Sequence, residues 1–280
     1  MSQKFLDLAG LTAYDKKIKE WFKTGITDIT EDPIRALFVV PDNPYVTFTA
    51  LKDNSSIGLS KLSYYQTLEY SIDASTWNTF YTTTNISLNN GDKVYVRGIL
   101  SADNTVSIYT QFKMSGKITA SGNCNALWNY QDLNAPLKAY CGYNMFKECV
   151  SLTTAPELPA TTLASQCYNC MFNGCTSLTT APVLPATTLA DTCYYYMFGG
   201  CTSLTTAPVL PATELAEDCY HNMFKGCSSL NYIKCLATNR SATNCTSNWL
   251  SGVSSTGTFV KHPDTNDWGP SGWTVIDAEL

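Results

Sequence analysis

The sequence predicts a multidomain α+β protein: an N-terminal amphipathic helix, a small antiparallel β-sandwich, and an α/β solenoid of 26-residue repeats. Three observations carry that prediction. The string CTSLTTAPVLPAT stands at 175–187 and again at 201–213, and the near-copy CVSLTTAPELPAT begins at Cys149. Between Tyr45 and Met114, short runs alternate apolar and polar residues. Ahead of both, residues 12–24 space their apolar side chains three and four apart. Near-identity at a fixed period marks one supersecondary unit stacked on copies of itself.

The first element, residues 1–35, is read as a helix and linker. Leu11, Tyr14, Ile18, Trp21 and Phe22 share one face, and the lysines and Glu20 share the other. Thr12 followed by Asp15 approximates a capping box with Asp in place of Glu. Such a helix either docks on a neighbouring domain or serves attachment and oligomerisation. Lys16, Lys17, Lys19 and Lys23 interrupt the apolar residues, so the segment does not read as a secretory signal.

Residues 36–114 form the expected β-sandwich-like domain. YVTFTA, TLEYSI, KVYVRGIL and TVSIYTQF have the period of half-buried strands, and NNGD and SADN have the chemistry of turns. About seven strands of this kind suit a small antiparallel sandwich. SIDASTW, from Ser71 to Trp77, is one residue short of an Asp-box hairpin motif, which caps a turn and by itself implies no glycosidase activity.

Residues 115–250 carry the repeats. Cys141, Cys167, Cys193 and Cys219 begin four units, and residues 115–140 form a degenerate cap in which CNAL, Cys124 to Leu127, echoes CVSL. Between Thr187 and Gly200 the apolar Leu189, Ala190, Cys193, Tyr194, Met197 and Phe198 suit one stripe of a short helix. Thr187 is placed to cap it, acids fall in its first turn, and Gly174, Gly200 and Gly226 stand where a left-handed C-cap belongs. The Thr- and Pro-rich half of each unit reads as a short extended segment stacking in parallel on its neighbours. Leu152, Leu178, Leu204 and Leu230 would then form one buried column, and Leu158, Leu184, Leu210 and Leu236 another. Residues 251–280 read as a C-terminal cap, with Trp268 and Trp273 over the last unit.

The repeat CYxxMFxGCTSLTTAPxLPATTLA and the tail NWLSGVSSTGTFVKHP…GPSGWTV resemble the BspA-like leucine-rich-repeat surface proteins of gut and oral anaerobes and their phages, over about residues 115–280. The resemblance implies a leucine-rich-repeat-like solenoid and a role as adhesin or binding protein, without catalysis. The opening KFLDLAGLTAYDKKIKEW is similar, over about twenty residues, to the N-termini of structural proteins in phages of gut bacteria.

Charge and composition narrow the partners. A formal net charge of −5 with no Lys/Arg cluster argues against nucleic acid, and no apolar run is long enough to insert in a membrane. Eight of the twelve cysteines occupy two repeat positions, 141/167/193/219 and 149/175/201/227, and read as packing thiols. Disulfides between adjacent units stay open at this point. Cys167 and Cys170 form a single C-x-x-C outside any thioredoxin-like context, and Cys219 with His221 lacks an orienting third group. No catalytic residue, cofactor or metal site is expected, and a thiol enzyme using Cys170 is a remote alternative.

The changing columns of the repeat are Tyr143/Asn169/Tyr195/His221, Asn144/Cys170/Tyr196/Asn222 and Lys147/Asn173/Gly199/Lys225. One reading is free drift of exposed positions. The other is a contact surface at Tyr143, Asn144, Asn169, Tyr195, Tyr196, His221 and Asn222, since tyrosine offers a flat apolar face and a polar tip. The expected protein is a phage fibre or capsid-decoration protein on the virion surface. It would join its own copies or a capsid protein through the N-terminal helix and display the repeats to a cell-surface protein, glycan or mucosal ligand. The alternative is a bacterial BspA-like cell-surface adhesin.

Overall fold

The computed structural model describes residues 43–101, 109–265 and 268–279. Among the described residues the front half holds eight strands: β1 (Val46–Ala50), β2 (Ser55–Lys61), β3 (Gln66–Ser71), β4 (Asn78–Thr79), β5 (Asn85–Leu88), β6 (Lys93–Leu100), β7 (Gln111–Ser115) and β8 (Ile118–Ser121). Burial alternates along β1 and β6, so Val46, Phe48 and Ala50 face inward with Val94, Val96 and Leu100. One sheet runs β4-β3-β6-β1-β8-β9, where β9 is Leu152–Thr154, and a second runs β5-β2-β7. β1 to β8 pair antiparallel within these sheets. Phe48 of the first meets Phe112 of the second with ring centroids 5.2 Å apart. At the hairpin after β3, Asp73 Oδ1 accepts hydrogen bonds from the Ser71 hydroxyl and the Ser75 and Thr76 amides. Those bonds hold its carboxyl well below the usual carboxylate range.

The first repeat adds directly to this sheet, because β9 pairs parallel with β8. Phe112 of β7 donates its amide to the Met145 carbonyl, and its ring stacks on Phe146 at 5.2 Å. The boundary expected after residue 114 is therefore crossed by a sheet and by a shared core. α1 (Ala126–Asn129), a single turn, follows β8 and brings Trp128 against Tyr168.

The α+β solenoid expected from the repeats is not what the chain forms. Among the described residues α1 is the one α-helix, the sheets are open, and the repeats contribute as strands only β9 and β10 (Tyr232–Cys235). The stretch from Thr187 to Gly200, expected to be a helix capped by Thr187, is an isolated bridge at Thr188 followed by a ribbon of turns from Asp191. The cause is backbone conformation. Thr192, Tyr196 and Gly200 have φ of 61°, 54° and 74°, and Asp218, Asn222 and Gly226 repeat the pattern at 53°, 56° and 77°. A left-handed residue at every fourth position breaks the run of right-handed residues that i→i−4 bonding needs. Leu11, Tyr14, Ile18, Trp21 and Phe22 of the expected N-terminal helix lie outside the described residues.

The ribbon still satisfies its backbone. The amides of Tyr195, Met197, Gly199 and Cys201 close turns onto the carbonyls of Thr192, Tyr194, Tyr196 and Phe198. The intervening amides, of Tyr194, Tyr196, Phe198 and Gly200, donate across to Cys219, His221, Met223 and Lys225 in the next unit. Each amide from Tyr194 to Cys201 is thereby used, as a buried backbone requires. The same ladder joins the units that begin at Cys141, Cys167, Cys193, Cys219 and Cys245. On the opposite side, the Thr-rich segments meet through single parallel bridges such as Thr154↔Thr180 and Thr206↔Tyr232.

Side chains fill the ladder in columns. Phe146, Phe172, Phe198 and Phe224 stack at 5.5, 5.6 and 5.6 Å, and Tyr168, Tyr194 and Tyr220 stack at 6.1 Å per step. Each buried ring contributes roughly 1.5–3 kcal/mol by leaving water, and stacking adds about 0.5–1.5 kcal/mol. Both stacks end on Trp249, which stacks on Trp268 at 5.7 Å. β10, β11 (Thr258–Lys261) and β12 (Thr274–Asp277) pair in parallel beyond it. One column departs from expectation. Leu236 is only half-buried, and Cys235 bridges to Leu210 in its place, because the fourth unit is locally one residue shorter.

Candidate functional site

The turn ribbon decides which side chains reach the surface. In the third unit Cys193 and Tyr194 point inward, Tyr195 and Tyr196 outward, and Met197 and Phe198 inward again. Of the seven side chains read as contacts, the structure places four half-exposed on this outer face: Tyr143, Tyr195, Tyr196 and His221. The other three are buried, Asn144 at 7%, Asn169 at 6% and Asn222 at 5% exposure, and are corrected to framework positions. Asn144 and Asn222 have φ of 54° and 56°, in the left-handed region that asparagine tolerates best among side-chain-bearing residues. The turn accounts for the choice of asparagine at these two positions.

The exposed rings form two groups. Tyr143 lies edge-on between Tyr140 and Tyr109, at 5.9 and 6.0 Å, and Lys61 Nζ sits 4.0 Å from the Tyr109 ring. Tyr109 falls outside the repeat, and Tyr140 holds the register of Gln166, Thr192, Asp218 and Asn244, where the other units carry no ring. In the second group Tyr195 meets Tyr196 at 5.7 Å and His221 edge-on at 5.1 Å. His221 Nδ1 is 2.7 Å from Asp218 Oδ1, which fixes the imidazole's orientation.

Gly199 completes this group. A Cβ there would overlap the Tyr196 ring and the Asn173 side-chain amide. The Tyr196 ring thus lies against a bare backbone, where the neighbouring units carry Asn173 and Lys225. Lys225 Nζ stands 5.7 Å from the ring centroid, and Asn173 Nδ2 donates to the Gly199 carbonyl at 2.8 Å. The sequence signal for Gly199 was its departure from Asn and Lys in the same unit that carries the Tyr195–Tyr196 pair.

The thiols are arranged for packing. Cys175, Cys201 and Cys227 donate to the carbonyls of Phe146, Phe172 and Phe198, at 3.0, 3.1 and 3.0 Å. Burial pushes Cys149, Cys219, Cys227 and Cys235 up to about 12. Cys170, the thiol a nucleophilic mechanism would need activated, is instead raised to about 11 by burial. Cys141 and Cys167 hydrogen-bond to each other, which raises Cys141 and lowers Cys167, but Cys167 is fully buried. All twelve cysteines are free thiols. Among the described residues no cluster of three or more His, Cys, Asp or Glu is arranged to hold a metal ion, and no helix is long and apolar enough to cross a membrane.

A groove of about 390 Å³ beside Asn125, Leu133, Pro136, Pro159 and Thr162 has no titratable side chain in its lining. On the front sheet Arg97 lies between the rings of Trp77 and Tyr130, at 3.9 and 4.3 Å, and its Nε donates to Glu69 at 2.7 Å. That arrangement ties the segment after α1 to β6 and accounts for itself structurally.

In comparisons with known proteins, no family model matches the chain, and no curated protein or solved structure matches it. The resemblance to BspA-like proteins rests on the residues of the repeat and the C-terminal tail alone.

Proposed function

We propose that this chain is a non-enzymatic binding protein that presents the outer face of its repeat ladder to a cell-surface protein, glycan or mucosal ligand. One observation carries the reading: half-exposed rings at Tyr143, Tyr195, Tyr196 and His221 stand on one face of a ladder whose backbone is bonded from unit to unit. Rigid rings lose little entropy on contact, so a stiff scaffold bearing them favours recognition. The reactive-group inventory points the same way, since most thiols serve the core and their pKa values are raised.

Within this reading the chain is a fibre or capsid-decoration protein of a phage of gut bacteria, held to the particle through residues 1–35. The test couples the purified full chain to fluorescent beads and measures attachment to gut-bacterial cells and to mucin. Attachment is expected, with a loss of at least ten-fold when Tyr143, Tyr195 and His221 are together replaced by alanine at unchanged fold. Attachment that is absent, or that survives the triple replacement intact, overturns the reading. Immunogold labelling of particles made with the full chain and with residues 1–30 deleted tests the location. Label is expected on the first particles alone.

A further inference from the structure

The repeat contains its own control. The units starting at Cys141, Cys167, Cys219 and Cys245 build the same ladder with Asn144, Cys170, Asn222 and Asn248 where the third unit has Tyr196. Three of those units carry Lys147, Asn173 and Lys225 where the third has Gly199. The fold therefore needs neither departure, yet both occur together, and the structure shows why they are paired. The Tyr196 ring occupies the space that a side chain at 199 would fill.

Tyr196 holds φ at 54°, in the left-handed region that side chains other than asparagine rarely adopt, as does Cys170 at 53° in the second unit. That backbone belongs to the ladder, and what the third unit adds is an aromatic ring beside bare main chain, with polar groups around it. Asn173 lies on one side, Lys225 on the other, and the Tyr195–His221–Asp218 group is adjacent.

We propose that Tyr196, backed by Gly199, is the platform of a saccharide subsite that takes one neutral pyranose ring of a glycan. The face of a pyranose is a patch of polarised C–H groups, which is drawn to the negative face of an aromatic ring. Its hydroxyls are donors and acceptors, which the ammonium of Lys225, over the Tyr196 ring at 5.7 Å from its centroid, and the side-chain amide of Asn173, beside Gly199, can meet. A protein partner fits less well, because a standard interface covers about 800 Å² per partner around a buried apolar core. This plate is one ring wide and rimmed by polar groups.

The inference rests on the binding reading above and names its ligand class. The test is binding of the full chain to immobilised neutral oligosaccharides ending in glucose, galactose, mannose or N-acetylhexosamine. Three proteins are compared: wild type, Tyr196→Asn, which restores the residue of sibling units, and Gly199→Lys, which displaces the ring. Wild type is expected to bind at least one of these glycans, and both variants to bind it at least ten-fold more weakly, with Tyr196→Asn melting no lower than wild type. Wild type that binds no neutral glycan, or a Tyr196→Asn protein that binds as wild type does, overturns the inference. Bead attachment measured in parallel separates the two failures. If Tyr196→Asn beads still attach to cells, the binding reading survives and the saccharide subsite alone is lost.

Discussion

The front sheets and the repeat ladder obey the same backbone rule by different means. In β1 and β6, successive residues face alternately in and out, and inward Val46, Phe48, Val94 and Val96 make a core read two residues at a time. In the ladder's third unit, side chains go two in and two out, as every second amide folds back into a turn while the others cross to the next unit. Left-handed residues are confined to turns in the first region and recur at every fourth position in the second. The lesson is that unit-to-unit hydrogen bonding does not need extended strands. It needs positions that hold positive φ at the right interval, and the repeat fills them with glycine and asparagine and also with residues such as Cys170, Thr192 and Tyr196.

Alkali separates the two regions most strongly. All twelve cysteines lie at or beyond Cys124, so the front sheets hold none before that point. Cys149, Cys219, Cys227 and Cys235 are raised to about 12, against about 8.5 for an unfolded thiol. Their contribution is complete below the unfolded value and is lost as pH rises towards 12. Between those limits each removes up to about 1.4 kcal/mol of stability per pH unit. Buried Tyr168, Tyr194 and Tyr220, also raised by burial, act in the same direction. Hydrogen exchange from pH 8 to 11 is expected to show the ladder amides losing protection first. Simultaneous loss in β1 and β6 would show that the regions unfold as one.

Next in size is the aromatic column. Phe198→Ala is expected to cost about 3–5 kcal/mol in urea unfolding, since Phe172 and Phe224 lose a stacked neighbour on each side. Phe172→Ala combined with Phe198→Ala should depart from additivity, because the two rings share a contact. Strict additivity would mean that the column is a list of separate burials.

The smallest effect sharpens the comparison at one residue. Thr192 is β-branched and holds φ at 61°, where Asn244 occupies the same register. Thr192→Asn is expected to stabilise by about 1 kcal/mol and to raise Tm by roughly 2–4 °C. No gain in Tm would mean that Thr192 repays its strain through contacts of its own.

Parts of this were legible in residue patterns. The alternation in YVTFTA and KVYVRGIL names the inward residues of β1 and β6. The repeated Cys, Leu, Met and Phe positions name most of the ladder's core, with Leu236 the exception. The fold class was not legible, because Cys193, Met197 and Cys201 are spaced by four. That spacing suits an amphipathic helix at 3.6 residues per turn about as well as a four-residue turn ribbon. The candidate site was half legible. Unit-to-unit change singled out Tyr143, Tyr195, Tyr196 and His221, but it also selected Asn144, Asn169 and Asn222, which are buried.

The sequence by itself determined the unit length, the identity of the stacked side chains and the low charge of the outer face, since each follows from composition repeated at one period. Only the tertiary structure decided that the repeat forms turns instead of helices, that its first unit extends the front sheet through β9, and that Gly199 makes room for Tyr196. The reason is physical. Residue type limits φ and burial locally, whereas the choice between bonding to i−4 and bonding to the next unit depends on a neighbour that one unit does not contain.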